Sequence, residues 1–446
     1  MKVIQGNEFD KYWKNEIIKD EDLKTEKIVR KIITEVSAKG DAAVKKFASK
    51  FDKSSPEQLE VPLSEAKKAL AELRVNDSSL VEAMELAAAN IARFSEKQKE
   101  QFTGFEYEMS PGLITGQRII PMQRAAVYIP GGRFPLFSSV LMCMIPAFCA
   151  GVDEVILSSP PMADGLPDKK ILAAAAIAAK VANIDDNRLR LFSIGGAQAI
   201  AALALGTESV PRVDFIAGPG SRFVAAAKRI LFGKVGIDFI AGPSDILIIA
   251  DDKNQIDQAA DLIAIDMLAQ AEHDPDARAR ALVPSMEFAD KLTQTIEQHL
   301  SKLSTAKTAK ASLDAGGLII VYKNREEAIN ITNIIAPEHL ELYIDNTIDV
   351  DENWIPYLKN YGSLFIGSSC AEVLGDYSAG VNHTLPTSTS ARFTGGLSVR
   401  HFLKTVTTLR CSKGEGFNNA INAAEILARA EGLEAHALSA ASRKEK

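Results

Sequence analysis

Apolar positions recur at three- and four-residue steps through much of the first hundred residues. Ile28, Ile32, Val36, Val44 and Phe47 form one such stripe, and the spacing predicts two amphipathic helices hinged at Gly40. Ser64-Glu65 after Pro62 predicts a capped helix running to Leu73, and a second long helix is expected from Ser79 to about Gln101. From Gly112 the texture changes. Short β-branched runs at 124–129, 152–157, 189–194 and 213–217 alternate with helix-like runs at 168–182, 197–205 and 223–231. A second series of strands is expected at 245–250, 279–283, 318–322, 340–344 and 363–366, before a helical segment at 418–441. Strand–helix alternation with glycine at the strand ends is the pattern of an α/β fold, here with two open parallel sheets covered by helices.

Several polar clusters interrupt these patterns. Ile256, Ala260, Ile263, Met267 and Leu268 predict a helix with one buried face, on which Gln270 and His273 leave the same side. That pair reads as a metal or substrate anchor, or as a polar helix end with His273 favoured by the dipole. Glu338 and His339 stand side by side at a strand entrance, either as two proton acceptors fit for general-base work or as loop neighbours with unrelated orientations. The glycine-flanked loop at 375–383 offers Asp376 to a metal site and His383 to a substrate, or is a solvated surface. Glu431 and His436 are five apart and serve different neighbours; His299 and His401 read as structural. Gln270, His273, Asp376 and His436 would together be a zinc-compatible nitrogen and oxygen set. Gly195-Gly196 opens a helix after a strand, as a phosphate cradle or for close packing, and 215–220 (FIAGPG) nearly repeats as 239–244 (FIAGPS).

Composition narrows the class. The 446 residues allow two or three domains, and 46% apolar with 24% charged residues is ordinary for a soluble protein. A net charge of −7 argues against a general nucleic-acid binder. Residues 1–20 carry no signal-like apolar run, and the most apolar stretch, 140–152, is too short for a bilayer. Four cysteines without a CxxC suit a reducing compartment, so a cytoplasmic chain with no membrane or nucleic-acid partner is expected.

The ordered set 124–132 (RAAVYIPGG), 135–142 (PLFSSVLM), 195–200 (GGAQAI), 241–244 (AGPS), 270–274 (QAEHD), 337–340 (PEHL), 375–386 (GDYSAGVNHTLP) and 431–436 resembles the histidinol dehydrogenase family over nearly the whole chain. The resemblance implies two Rossmann-like domains, 25–127 with 245–397 and 128–244. An N-terminal helical segment at 1–24 and a C-terminal helical segment at 398–446 complete them, the latter exchanged in an intertwined homodimer with shared sites. It implies oxidation of L-histidinol through L-histidinal to L-histidine with two NAD. Carried over residue by residue, Gln270, His273 and Asp376 would ligate zinc, with His436 coming from across the dimer. Glu338 and His339 match the catalytic pair. Ser138, Ser244, His383 and Glu431 match substrate contacts, joined by the metal ligands and His339. Tyr128, Gln198 and Ser221 match the NAD site. Ser221 stands where the family has Asn, Asp245 where Glu is usual, and Arg133 where a smaller residue is expected. These departures, with about one extra helical turn before Gln270, also admit a relative that oxidises another primary alcohol, such as a sulfonated diol.

Overall fold

Alternation along the strand Arg124–Tyr128 sets the first half of the molecule: Ala125 and Val127 face one apolar core, Ala126 and Tyr128 the other. The computed structural model describes residues 1–17, 23–131, 135–240, 242–251 and 256–444; Gly132, Arg133 and Ala241, singled out in the sequence, lie outside them. In the first sheet the order is Glu60–Val61, Leu189–Ser193, Glu154–Ser159, Arg124–Tyr128, Phe215–Ala217, Gly236–Ile237, and only Glu60–Val61 runs antiparallel. The chain therefore winds outward from Arg124–Tyr128 in one direction, then returns to wind the other way. Ligand crevices open at such a reversal, beyond the carboxyl ends of the strands.

Helices Leu23–Phe51, Gly196–Leu205 and Arg222–Leu231 cover one face, and Leu63–Asn76, Ser78–Lys99, Phe137–Ala150 and Lys169–Val181 the other. Gly40, at φ 51° and ψ −133°, makes the hinge inside the first of these. The cap before Ser78–Lys99 is Asp77, whose side chain accepts the Leu80 N–H at 3.1 Å. This packing corrects the domain division expected from sequence. The helices between residues 23 and 99 belong with the first sheet rather than with 245–397, because Val29, Val36 and Val44 meet the small faces of the alanine-rich helices that cover it.

The second sheet is all parallel, ordered Lys2–Gln5, Leu318–Val321, Arg278–Val283, Asp245–Ala250, His339–Tyr343, Ser363–Ile366. The expected N-terminal helical segment thus begins with a strand, its Val3 and Ile4 pairing with Ile319 and Ile320. Ile256–Ala271, Met286–Leu300 and Ala306–Gly316 cover one face; Arg325–Ile335 with Phe9, Trp13 and Trp354 covers the other.

A three-stranded antiparallel sheet, Leu403–Cys411, Leu113–Pro121 and Phe105–Ser110, is absent from the sequence expectations. Phe105, Tyr107, Met109 and Leu409 on it are exposed, as are Ile426 and Leu427 on the neighbouring helix Glu415–Ala430. The expected C-terminal helix is two, broken at Gly432 with φ 77°, and the second runs Glu434–Ala441. Among the described residues no helix is long and apolar enough to cross a membrane.

Candidate active site

Asp245 and His339 begin neighbouring parallel strands at the amino edge of the second sheet, with Ile246 in register with His339 and Asp245 beside Glu338. Glu338 and Asp245 are tied reciprocally. The Glu338 N–H donates to Asp245 Oδ1 at 3.2 Å, and the Asp245 N–H donates to Glu338 Oε2 at 3.0 Å. Arg280 from the adjacent strand donates to Asp245 Oδ2 at 3.0 Å, and its guanidinium stacks over Trp13. Glu338 is thus fixed from behind. Burial pushes its pKa up to about 8, His339 opposing and Asp245 adding to the rise.

His339, 3% exposed, faces carboxylates on both sides. Its Nε2 lies 3.2 Å from Asp376 Oδ1, and its Nδ1 lies 3.6 Å from Glu372 Oε2 and 4.0 Å from Glu338. Burial alone would lower the imidazole pKa; Glu372, Asp376 and Glu338 outweigh it and raise it well above the usual value. For Asp376, burial acts upward, while the His339 hydrogen bond, His383 and His273 bring its pKa below the usual range. His339 Nδ1 and Glu372 Oε2 are buried without a hydrogen-bond partner, so this face of the cluster is incompletely satisfied.

The metal-anchor residues of the sequence converge only in part. Gln270 is buried at 2% exposure near the end of Ile256–Ala271. His273 lies beyond that helix, not on it, a correction to the shared-face reading. The chain turns after Ala271, and the His273 N–H reaches back to the Gln270 carbonyl at 3.4 Å. Its ring is exposed yet close enough to act on Asp376 and His383. Glu431 and His436 are exposed, and neither side chain makes a hydrogen bond or ion pair among the described residues. Within one chain the described residues hold no group of three or more His, Cys, Asp or Glu side chains arranged for a metal.

His383 has both ring nitrogens engaged, Nδ1 with the Asp376 carbonyl at 2.8 Å and Nε2 with Ser139 Oγ at 2.9 Å. Burial lowers its pKa, so the neutral ring donates from Nδ1 and accepts from the serine. That arrangement makes His383 a brace between two sheets' elements. Its partner Ser139 is buried; Ser138, matched by resemblance to a substrate contact, is half-buried one step around the helix. Ser244 is half-buried beside Asp245, and its carbonyl accepts the Arg278 N–H at 2.9 Å.

The carboxyl edge of the first sheet supplies the other wall. Tyr128 is buried at a strand end and its hydroxyl oxygen accepts the Gly196 N–H at 2.9 Å. Buried Gln198 donates from Nε2 to Asp52 Oδ2 at 3.3 Å. The Gly195 N–H also donates to Asp52, whose pKa burial pushes up to about 6. The phosphate-cradle reading of Gly195-Gly196 is therefore overturned. Both amides are already taken, one by a carboxylate and one by a phenol. Ser221 is exposed just before Arg222–Leu231 and does not cap it. Asp52, Ser139, Arg280 and Glu372 were not flagged by sequence. Only Asp245 carried a signal, as a departure from the family pattern.

A neutral-range carboxyl acid, a basic imidazole and an acidic carboxylate in one buried cluster can move protons in steps. Comparisons with known proteins agree on one family. A family model described as histidinol dehydrogenase matches residues 16–444. Histidinol dehydrogenase of Aquifex aeolicus (strain VF5) is 43% identical over 97% of this chain and 94% of that protein. The protein of the same name from Acinetobacter baylyi is 42% identical over 93% of this chain and 92% of its own length. The crystal structure of histidinol dehydrogenase from Elizabethkingia anophelis superposes with a TM-score of 0.87 at 33% identity, covering 99% of this chain and 98% of that one. An acetylating aldehyde dehydrogenase from Geobacillus thermoglucosidasius, TM-score 0.51 at 14% identity over 89% of this chain and 99% of that one, shares the fold alone.

Arg280→Met would strand the buried Asp245 carboxylate behind Glu338. Removal of one partner of a buried pair costs about 3–5 kcal/mol, to be read as a lower urea midpoint. A midpoint equal to that of the unaltered protein would deny Arg280 this role.

Proposed function

The chain belongs to the histidinol dehydrogenase family, and from that premise we propose that it oxidises L-histidinol through L-histidinal to L-histidine, the closing steps of histidine biosynthesis, with two NAD in succession. The observation that carries this reading is the buried Glu338–His339 pair, with one base near neutrality and one strongly basic, beside Asp376. Nothing in the names of the relatives favours the sulfonated-diol alternative.

The donor chemistry fits a zinc ion: an amide oxygen, an imidazole nitrogen and a carboxylate oxygen from Gln270, His273 and Asp376, with His436 of the partner subunit as fourth. The exposed His273 ring, close enough to Asp376 to act on its charge, supports a ligand site there. Zinc bound there would supply a fixed anchor for the substrate imidazole and a sink for the Asp376 charge. NAD, held by the Tyr128, Gln198 and Ser221 edge, would supply the hydride acceptor in each oxidation.

His339 would take the alcohol proton as the carbinol carbon gives up hydride, leaving the aldehyde. The surrounding carboxylates favour its protonated form, so His339 acts as base only once it has given that proton up. Glu338 then takes a proton from water at Oε1, since Oε2 is tied to the Asp245 N–H, and the hydroxide adds to the aldehyde carbon. His339 returns its proton to the aldehyde oxygen as the hydroxide adds; loss of hydride from that hydrate, with one hydroxyl proton passing to His339, gives the acid, whose remaining proton leaves to solvent to give the carboxylate. Ser138, Ser244, His383 and Glu431 complete the substrate site, Glu431 as the charge partner of the ammonium. The two open sheets are read as Rossmann-like units, and the protein as an intertwined homodimer of the cytoplasm. Exposed Phe105, Tyr107, Met109, Leu409, Ile426 and Leu427 support a second chain on that face, and four free cysteines suit a reducing compartment.

NADH absorbance across a panel of primary alcohols tests the substrate: turnover is expected with L-histidinol, and turnover confined to alcohols lacking imidazole would replace it. Glu338→Gln should slow histidinal oxidation by about a hundredfold or more and histidinol-to-histidinal conversion far less. Because the carboxylate is the working form and its pKa is about 8, the aldehyde step should rise with pH up to that value in the unaltered enzyme and lose the inflection in the variant. Equal losses in both steps would refute this division. His436→Asn should lower zinc content by elemental analysis; full retention of metal would remove it from the ligand set.

A further inference from the structure

The near-repeat at 215–220 and 239–244 sets two similar turns on either side of one buried ion pair. Strand Phe215–Ala217 runs into the first turn at Gly218, and Asp238 stands directly before the second. Lys228, from Arg222–Leu231, has a side chain only 3% exposed, and that of Asp238 is 2% exposed. Lys228 Nζ donates to the Gly218 carbonyl at 3.0 Å and to Asp238 Oδ1. Asp238 Oδ2 accepts the Gly218 N–H at 2.7 Å, and its Oδ1 accepts the Phe239 N–H, also at 2.7 Å. One pair therefore satisfies both polar groups of Gly218 and the first amide of the second turn.

Its effect is positional. Gly218 has φ +112°, and a Cβ there would overlap the Tyr128 carbonyl oxygen, so the backbone of the first turn is seated directly on the end of the central strand. This is the reversal point of the first sheet, where a ligand crevice opens. The second turn is seated in its own right: the Gly242 N–H donates to Thr387 Oγ1 at 2.6 Å, four residues beyond His383. Taking two charges out of water is costly, and an apolar pair would fill the same space. What an apolar pair lacks is directed donors and acceptors aimed at one particular peptide.

We propose that Lys228 and Asp238 are positioning residues for the oxidation, clamping the cofactor-binding turn at 218–221 against Tyr128 and in register with the substrate turn at 242–244. The proposal rests on the assignment of Tyr128 and Ser221 to NAD. It is tested by fluorescence titration of NADH into purified, folded Lys228→Met and Asp238→Asn enzyme, well below each unfolding midpoint. The dissociation constant for NADH should rise at least fivefold in each. An unaltered constant, with only a lower unfolding midpoint, would make the pair merely structural and overturn the proposal. Should neither variant fold, Gly218→Ala keeps the ion pair but drives a methyl toward the Tyr128 carbonyl. It should show the same loss, and affinity equal to that of the unaltered enzyme would overturn the clamp. Failure of the unaltered enzyme to bind NADH would overturn the cofactor assignment and this proposal together. Failure to turn over histidinol with NADH still bound would overturn only the substrate.

Discussion

The structure depends on a reciprocal link between two carboxylates at adjacent strand starts. Asp245 and Glu338 each accept the other's backbone N–H, and Arg280 neutralises the pair from behind. Both acids are buried, a situation that costs several kcal/mol unless hydrogen bonds and a counter-charge offset it. The link fixes where Glu338 points, while burial raises its proton affinity toward neutrality. His339, one residue on, inherits the same fixed backbone and opens the paired strand. A general base is useful only if it is both placed and tuned; here the link places the carboxyl and burial tunes it.

The site lies where unlike sheet edges meet. Open α/β sheets usually bind ligands beyond the carboxyl ends of their strands. The first sheet follows that rule with Tyr128 and Gly218. The second places Asp245, Glu338 and His339 at its amino edge. Loop 382–387 bridges the two: His383 holds Ser139 of the first sheet's helix, Asn382 donates to the Met142 carbonyl, and Thr387 receives the Gly242 N–H. One loop thereby braces the proposed cofactor edge and the proton-transfer groups together, as a hydride transfer coupled to a proton transfer would require.

Local patterns made much of the fold legible. Strands 245–250 and 363–366 have the bounds expected from their apolar runs, and the Gly40 hinge interrupts its stripe where expected. Long-range placement was not legible. Nothing in the sequence singles out Ser139, and only helix packing brings it to His383. Asp52 follows a helix far from Gly195 in sequence, so nothing local announces that it fills the amide cradle. The three-stranded sheet is a different miss. Phe105, Tyr107 and Met109 alternate with Glu106 and Glu108, a strand signal that exposure in one chain does not cancel. His273 sits at a helix end, where the last turn is the hardest boundary to place from periodicity.

In the proposed reaction one buried pair serves two successive oxidations without releasing the reaction half-done. Conversion of a known amount of L-histidinol with excess NAD, followed by counting NADH against L-histidine formed, measures this directly. Two NADH per histidine, with no histidinal accumulating, is the predicted result. One NADH per histidinol with the aldehyde as end product, or no NADH from metal-loaded enzyme, would contradict it.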